Sequence, residues 1–190
     1  MKNTIGKFLW LALCGGAMHL VASPPIIGVA RSWGAFFVNN SSVWGNATVF
    51  DGSSLKTTEA SSNLDLTGGE RVLLSTNSVA VVHADRMTLD RGVAEFGGSP
   101  AYHIEVQSLR IATLDSSARI RVAIDHQSRV AVVSLGGPGE VRNGQGRLVA
   151  RLASGAALTL STGELHAARQ AGAHKPASTF SAWPSAFTLE

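Results

Sequence analysis

The chain has 190 residues, enough for one domain with tails, and 45% of them are hydrophobic against 15% charged. That balance excludes a disordered chain. The formal charge of +3 comes with no run of Lys or Arg to track a phosphate backbone, so nucleic acid is excluded as an expected partner.

Residues 1–30 read as a signal peptide or membrane anchor. Lys2 and Lys7 form a positive start, Phe8 to Val21 is an apolar stretch, and small residues follow at Ala22, Ser23 and Ala30. Cleavage after Ala22 and cleavage after Ala30 both fit, the second with small residues at Gly28 and Ala30. Two alternatives stay open. Leu11-Ala12-Leu13-Cys14 resembles a lipobox, and Phe8 to Ala30 is long enough to cross a bilayer, although Gly15-Gly16 and Pro24-Pro25 make a poor helix. Without Lys2 and Lys7, 14 basic residues face 13 acidic ones, a net +1. Cys14 is the single cysteine, so the remaining domain is expected to fold without disulfides.

Residues 31–42 read as a linker or first edge strand, with Asn39-Asn40-Ser41-Ser42 as turn formers. Residues 43–161 then show short strands in near-unbroken succession. Met87 and Leu89 alternate with Thr88 and Asp90, Ile104 and Val106 with His103 and Glu105, and Ile120, Val122 and Ile124 with polar neighbours. A period of two marks strands with one buried face. Asp51-Gly52, Gly68-Gly69, Gly97-Gly98, Gly136-Gly137-Pro138-Gly139 and Asn143-Gly144 fall between the runs as turns, and Asn143-Gly144 predicts a type I′ hairpin. The expected fold is all-β, a roll or sandwich of short antiparallel strands. Residues 162–190 lose the alternation and read as a poorly structured tail. Leu165 to Gln170 could form a short helix there, and the late cluster Phe180 to Phe187 either packs back on the domain or docks elsewhere.

No catalytic, cofactor-binding or metal-ligating residue is expected. G-x-S-x-G, H-E-x-x-H, a Walker loop and C-x-x-C are all missing from the sequence. His83, His103, His126, His166 and His174 are scattered and read as solvated surface residues; a zinc site or a Ser-His-Asp triad would have to be assembled in space. Arg119, Arg121 and Arg129 line one polar face if Asp125 to Ser128 is a hairpin. That face reads as solvated, with an acidic ligand or glycan as the alternative.

The middle of the chain resembles the FecR-type domain. The resemblance is carried by Asp51-Gly52-Ser53-Ser54-Leu55-Lys56-Thr57, Gly69-Glu70-Arg71-Val72-Leu73-Leu74, Ser78 to Val82, Met87 to Phe96, and the closing Leu152-Ala153-Ser154-Gly155 turn. It covers residues 45–160. The family's G-T-x-F step is replaced by Ser116-Ser117-Ala118-Arg119-Ile120, and only seven residues precede the apolar stretch where the family carries a cytoplasmic sigma-regulating segment. The resemblance implies an exported, non-catalytic domain, periplasmic or at the cell surface, acting as an envelope protein-interaction, sensor or scaffold module with a protein partner and no cofactor. A carbohydrate- or cell-wall-binding module is the alternative. It would need an aromatic platform, for which Trp44 and Tyr102 are the residues to watch.

Overall fold

The computed structural model describes residues 23–161, and among them every regular element is a strand. β1 (Ile26–Val38) and β2 (Ser41–Phe50) form a long hairpin. Its two-residue turn is Asn39-Asn40, with φ of 49° and 63°. A type I′ turn needs positive φ at both positions, and Asn tolerates that conformation better than most side chains. The chain continues through β3 (Ser53–Thr57), β4 (Ser62–Leu66), β5 (Arg71–Leu74), β6 (Val79–Val82) and the long β7 (Arg86–Gly97).

Hydrogen-bonded pairing runs β1–β4–β5–β7–β6–β3 and back to β1, which closes a six-stranded barrel. Closure depends on two long strands that each serve two partners. β1 pairs with β4 through Gly28–Arg31 and with β3 through Phe36–Val38, with an irregularity between Ser32 and Ala35. β7 pairs with β6 through Met87–Arg91 and with β5 through Ala94–Gly97. The change of partner on β7 falls at Gly92, whose φ is +92°. A side chain there would meet Ser78, whose Cα lies 2.6 Å from the position a Cβ would take. Only glycine permits both the conformation and the close approach.

Beyond β7 the chain builds a second layer pair. β8 (His103–Val106), β9 (Leu109–Thr113), β12 (Gly139–Asn143) and β13 (Leu148–Leu152) form one run; β10 (Arg119–Ile124), β11 (Val130–Gly136) and β14 (Ala157–Leu160) form the other. Both runs start from β7, with β8 joining its first half and β10 its second. The core is continuous from Phe36, Leu55 and Leu74 in the barrel to Ile111, Ile120 and Val141 in the second layers.

The alternation read in β7 to β10 holds, since Met87, Leu89, Ile104, Val106, Ile120 and Val122 are all buried. Four local expectations are corrected. First, β1 starts at Ile26, so strand structure reaches into the 1–30 segment; residues 31–38 are neither linker nor edge strand, because β1 has partners on both sides, while Asn39-Asn40 is the hairpin turn and Ser41-Ser42 opens β2. Second, β7 and β8 pair in parallel over Arg86–Thr88. Third, Asn143-Gly144 does not make a type I′ turn. Asn143 N donates to Arg147 O, the loop is three residues long, and Gly146 takes the left-handed position with φ +77°. The Asn143 side chain accepts from the N–H groups of Gln145 and Arg147, which holds the longer loop in place. Fourth, Gly136 to Gly139 is a crossing between layers, because β11 and β12 do not pair with each other. The 162–190 tail, with its Leu165–Gln170 and Phe180–Phe187 readings, lies outside the described residues.

Candidate binding surface

The charged and polar side chains singled out in the sequence mostly satisfy one another. Arg119 and Arg121 do share a face, and both reach the Glu95 carboxylate across the β7–β10 ladder, Arg121 at 3.1 Å. Arg129 donates through Nε to Asp125 at 2.6 Å. Three arginines thus share two carboxylates, which leaves one net positive charge on this face. The Arg142 guanidinium hydrogen-bonds Glu140 and holds its carboxyl below the usual range, against a modest opposing effect of burial. At Asp125 burial works against ionisation. Hydrogen bonds from the backbone and side chain of Arg129, and from the Gln127 N–H, outweigh it and lower the pKa.

Two expectations about single residues fail. His103 is not on the solvated side of its strand; it is 4% exposed, with Nδ1 3.2 Å from the Arg110 guanidinium and Nε2 3.4 Å from Glu105. Strand alternation puts it on a polar face, where the neighbouring side chains of Arg110 on β9 and Glu105 on β8 close over it. His83 lies 3.4 Å from the Asp51 carboxylate. Tyr102 is 1% exposed, and its hydroxyl has no hydrogen-bond partner. Burial, with repulsion from the Glu70 and Asp85 carboxylates, pushes the phenol far above its ordinary pKa. Tyr102 is core, so it forms no platform with Trp44.

No group of three or more metal-ligating side chains converges among the described residues. A shallow hollow of about 130 Å³, lined by Ser108, Asn143, Gly144 and Gln145, is smaller than pockets that enclose small-molecule ligands.

The exception to this self-satisfied surface is the β1–β2 hairpin. Trp33 is 99% exposed and Trp44 is 74% exposed. The ladder explains why. Ala30 pairs with Ala47 and Phe36 with Val43, and these residues face the core. The intervening pairs, Val29 with Thr48, Arg31 with Asn46, Ala35 with Trp44 and Phe37 with Ser42, occupy the outer face. Trp33 sits in the irregularity between Ser32 and Ala35, across from Gly45 and Trp44. Lys56 places its ammonium 5.5 Å from the Phe37 ring centroid at one margin of this face, and Arg31 pairs with Asp65 at the other. An indole carries roughly 150–250 Å², worth about 4–6 kcal/mol when taken from water at ~25 cal/mol per Å². Two indoles left in solvent on one hairpin forgo much of that stabilisation, which makes this hairpin the candidate surface.

β2 is also an open edge. Among the described residues its only ladder is with β1, and Ser41–Phe50 contains no charged residue and no proline. Natural edge strands are usually guarded by such residues. Read as a linker or first edge strand, residues 31–42 give no sign that Trp33 belongs to a surface of paired strands. The available signal was the uncharged stretch Ser32–Phe50 itself, with Trp at both 33 and 44.

No family model matches the chain, and no curated protein matches it either.

Proposed function

We propose that the protein is an exported, non-catalytic module of the FecR type that acts at the cell envelope, in the periplasm or at the cell surface, as a protein-interaction scaffold or sensor. The observation that carries this reading is the unguarded edge of β2. A strand from a protein partner can complete that edge through main-chain hydrogen bonds, with Trp44 and its neighbours setting the side-chain preference. Among the described residues three strands have a single ladder, β2, β13 and β14; β2 is the longest of them and the one that carries an exposed indole. A carbohydrate is the rival ligand class, and what favours it is the pair of exposed indoles rather than the edge.

The test is site-specific photo-cross-linking in the native host. A photoreactive residue at Asn46, on β2, is compared with one at Arg147, in the β12–β13 loop. One envelope protein captured from Asn46 and not from Arg147 supports the proposal. Equal capture from both positions, or none from Asn46, overturns it.

A further inference from the structure

We infer that the outer face of the β1–β2 hairpin is a platform for a neutral polysaccharide. The face and the edge of β2 are different surfaces, so this ligand adds to the interaction module and does not depend on strand addition.

Three observations carry the inference together. The first is the pair of indoles, Trp33 and Trp44, exposed on adjacent strands across the same stretch of ladder. A pyranose ring presents a flat face of polarised C–H groups, and the negative face of an indole is a good surface for stacking it. The second is the chemistry around them. Ser42, Asn46 and Thr48 share the outer face with Trp44, and all are neutral donors and acceptors of the kind that match sugar hydroxyls. The third is electrostatic. Ser32–Phe50 contains no Lys, Arg, His, Asp or Glu, and the one cation on this face, Arg31 opposite Asn46, is paired with Asp65, which leaves little to attract a uronate or a sulfated chain. Lys56, on β3, is engaged with the Phe37 ring.

Other occupants fit less well. A membrane-inserting hairpin would carry its aromatic residues at the tip, whereas the tip is Asn39-Asn40-Ser41-Ser42 and the indoles lie part-way along the strands. A protein hot spot usually adds a free arginine to its aromatic anchors, and the arginine of this face, Arg31, is already paired with Asp65.

The experiment is affinity electrophoresis of the full chain through gels containing hydroxyethylcellulose, laminarin, yeast mannan or, as the acidic control, polygalacturonate. The expected result is retardation by at least one neutral polymer and none by polygalacturonate. Trp33→Ala and Trp44→Ala should each weaken the retardation at least tenfold while leaving the thermal melt unchanged. Should Trp44→Ala melt early, Trp44→Phe keeps a ring for packing and is expected to bind measurably less than the parent. No retardation by any neutral polymer overturns the inference, and so does equal retardation of parent and variants. It is also overturned if the parent is a dimer that Trp44→Ala dissociates, which would assign the face to a second copy. Tryptophan-dependent binding to phosphatidylcholine vesicles would assign it to lipid instead, with the same consequence. None of these results alters the cross-linking outcome at the β2 edge.

Discussion

Tyr102 shows how a single side chain can carry both packing and cost. Its ring is fully enclosed while its hydroxyl finds no partner. An unsatisfied buried hydroxyl costs about 1–3 kcal/mol. Tyr102→Phe should therefore raise stability by up to about 1 kcal/mol, read as a higher urea midpoint with an unchanged slope; a lower midpoint would show that the hydroxyl is satisfied after all. Asp125 and Glu140 carry the opposite kind of effect. Their folded-state pKa values lie below the unfolded ones, so the unfolded chain binds more protons in the interval between them. Their contribution is fully present above the ordinary carboxylate pKa and is lost as pH falls through the lowered folded value. Asp125→Asn and Glu140→Gln should both destabilise at about pH 7, and the difference from the parent should shrink toward zero near pH 3. Denaturation curves at the two pH values check this, and a difference that persists in acid would mean that shape, not charge, is what the substitutions remove. None of these effects was readable from residue type. His103 reads as a solvated residue, and the burial of Tyr102 cannot be foreseen, because the sequence does not reveal which strand lies over which.

At the scale of elements, the barrel rests on the ability of β1 and β7 to change partners part-way along. Gly92 is the pivot of β7. Gly92→Ala would force φ +92° on a residue with a Cβ and drive that Cβ into Ser78. The expected loss is about 2–4 kcal/mol, combining backbone strain with the displacement of Ser78. A thermal melt checks it, and a loss below about 0.5 kcal/mol would show that β7 bends without help. β7, β8 and β10 are legible because apolar residues alternate along them, and burial of one face writes a period of two into the sequence; β11, with Val130, Ala131 and Val132 all buried, shows a continuous apolar run instead. β1 was not legible. Its outer face carries Val29, Trp33, Ala35 and Phe37 and its inner face Ala30 and Phe36, so hydrophobic residues fall on both sides and no alternation appears. The Asn143-Gly144 turn was misread for a related reason. Asn-Gly permits the tight turn without requiring it, and Gly146 offered a left-handed position two residues later.

For the whole molecule, the position of β1 bears on how the chain is processed. Cleavage after Ala30 would remove Ile26–Ala30, including buried Ile27 and Ala30 and most of the pairing with β4. Cleavage after Ala22 would leave β1 intact. A chain beginning at Ser23 should fold cooperatively, while one beginning at Arg31 should lose about 3 kcal/mol or more, because a closed barrel would be opened at one seam. Urea unfolding of the two chains tests the energetics, and N-terminal sequencing of the mature protein from its host tests the processing. A start at Arg31 would sink the argument. The sequence by itself determined the all-β class and the buried positions of β7, β8 and β10, because burial of one face and the geometry of turns act over a few residues. Barrel closure, the parallel β7–β8 ladder, the burial of Tyr102 and His103 and the exposed Trp33–Trp44 face were decided only by the tertiary structure. Each depends on which distant strands become neighbours, and that follows from the packing of the whole chain.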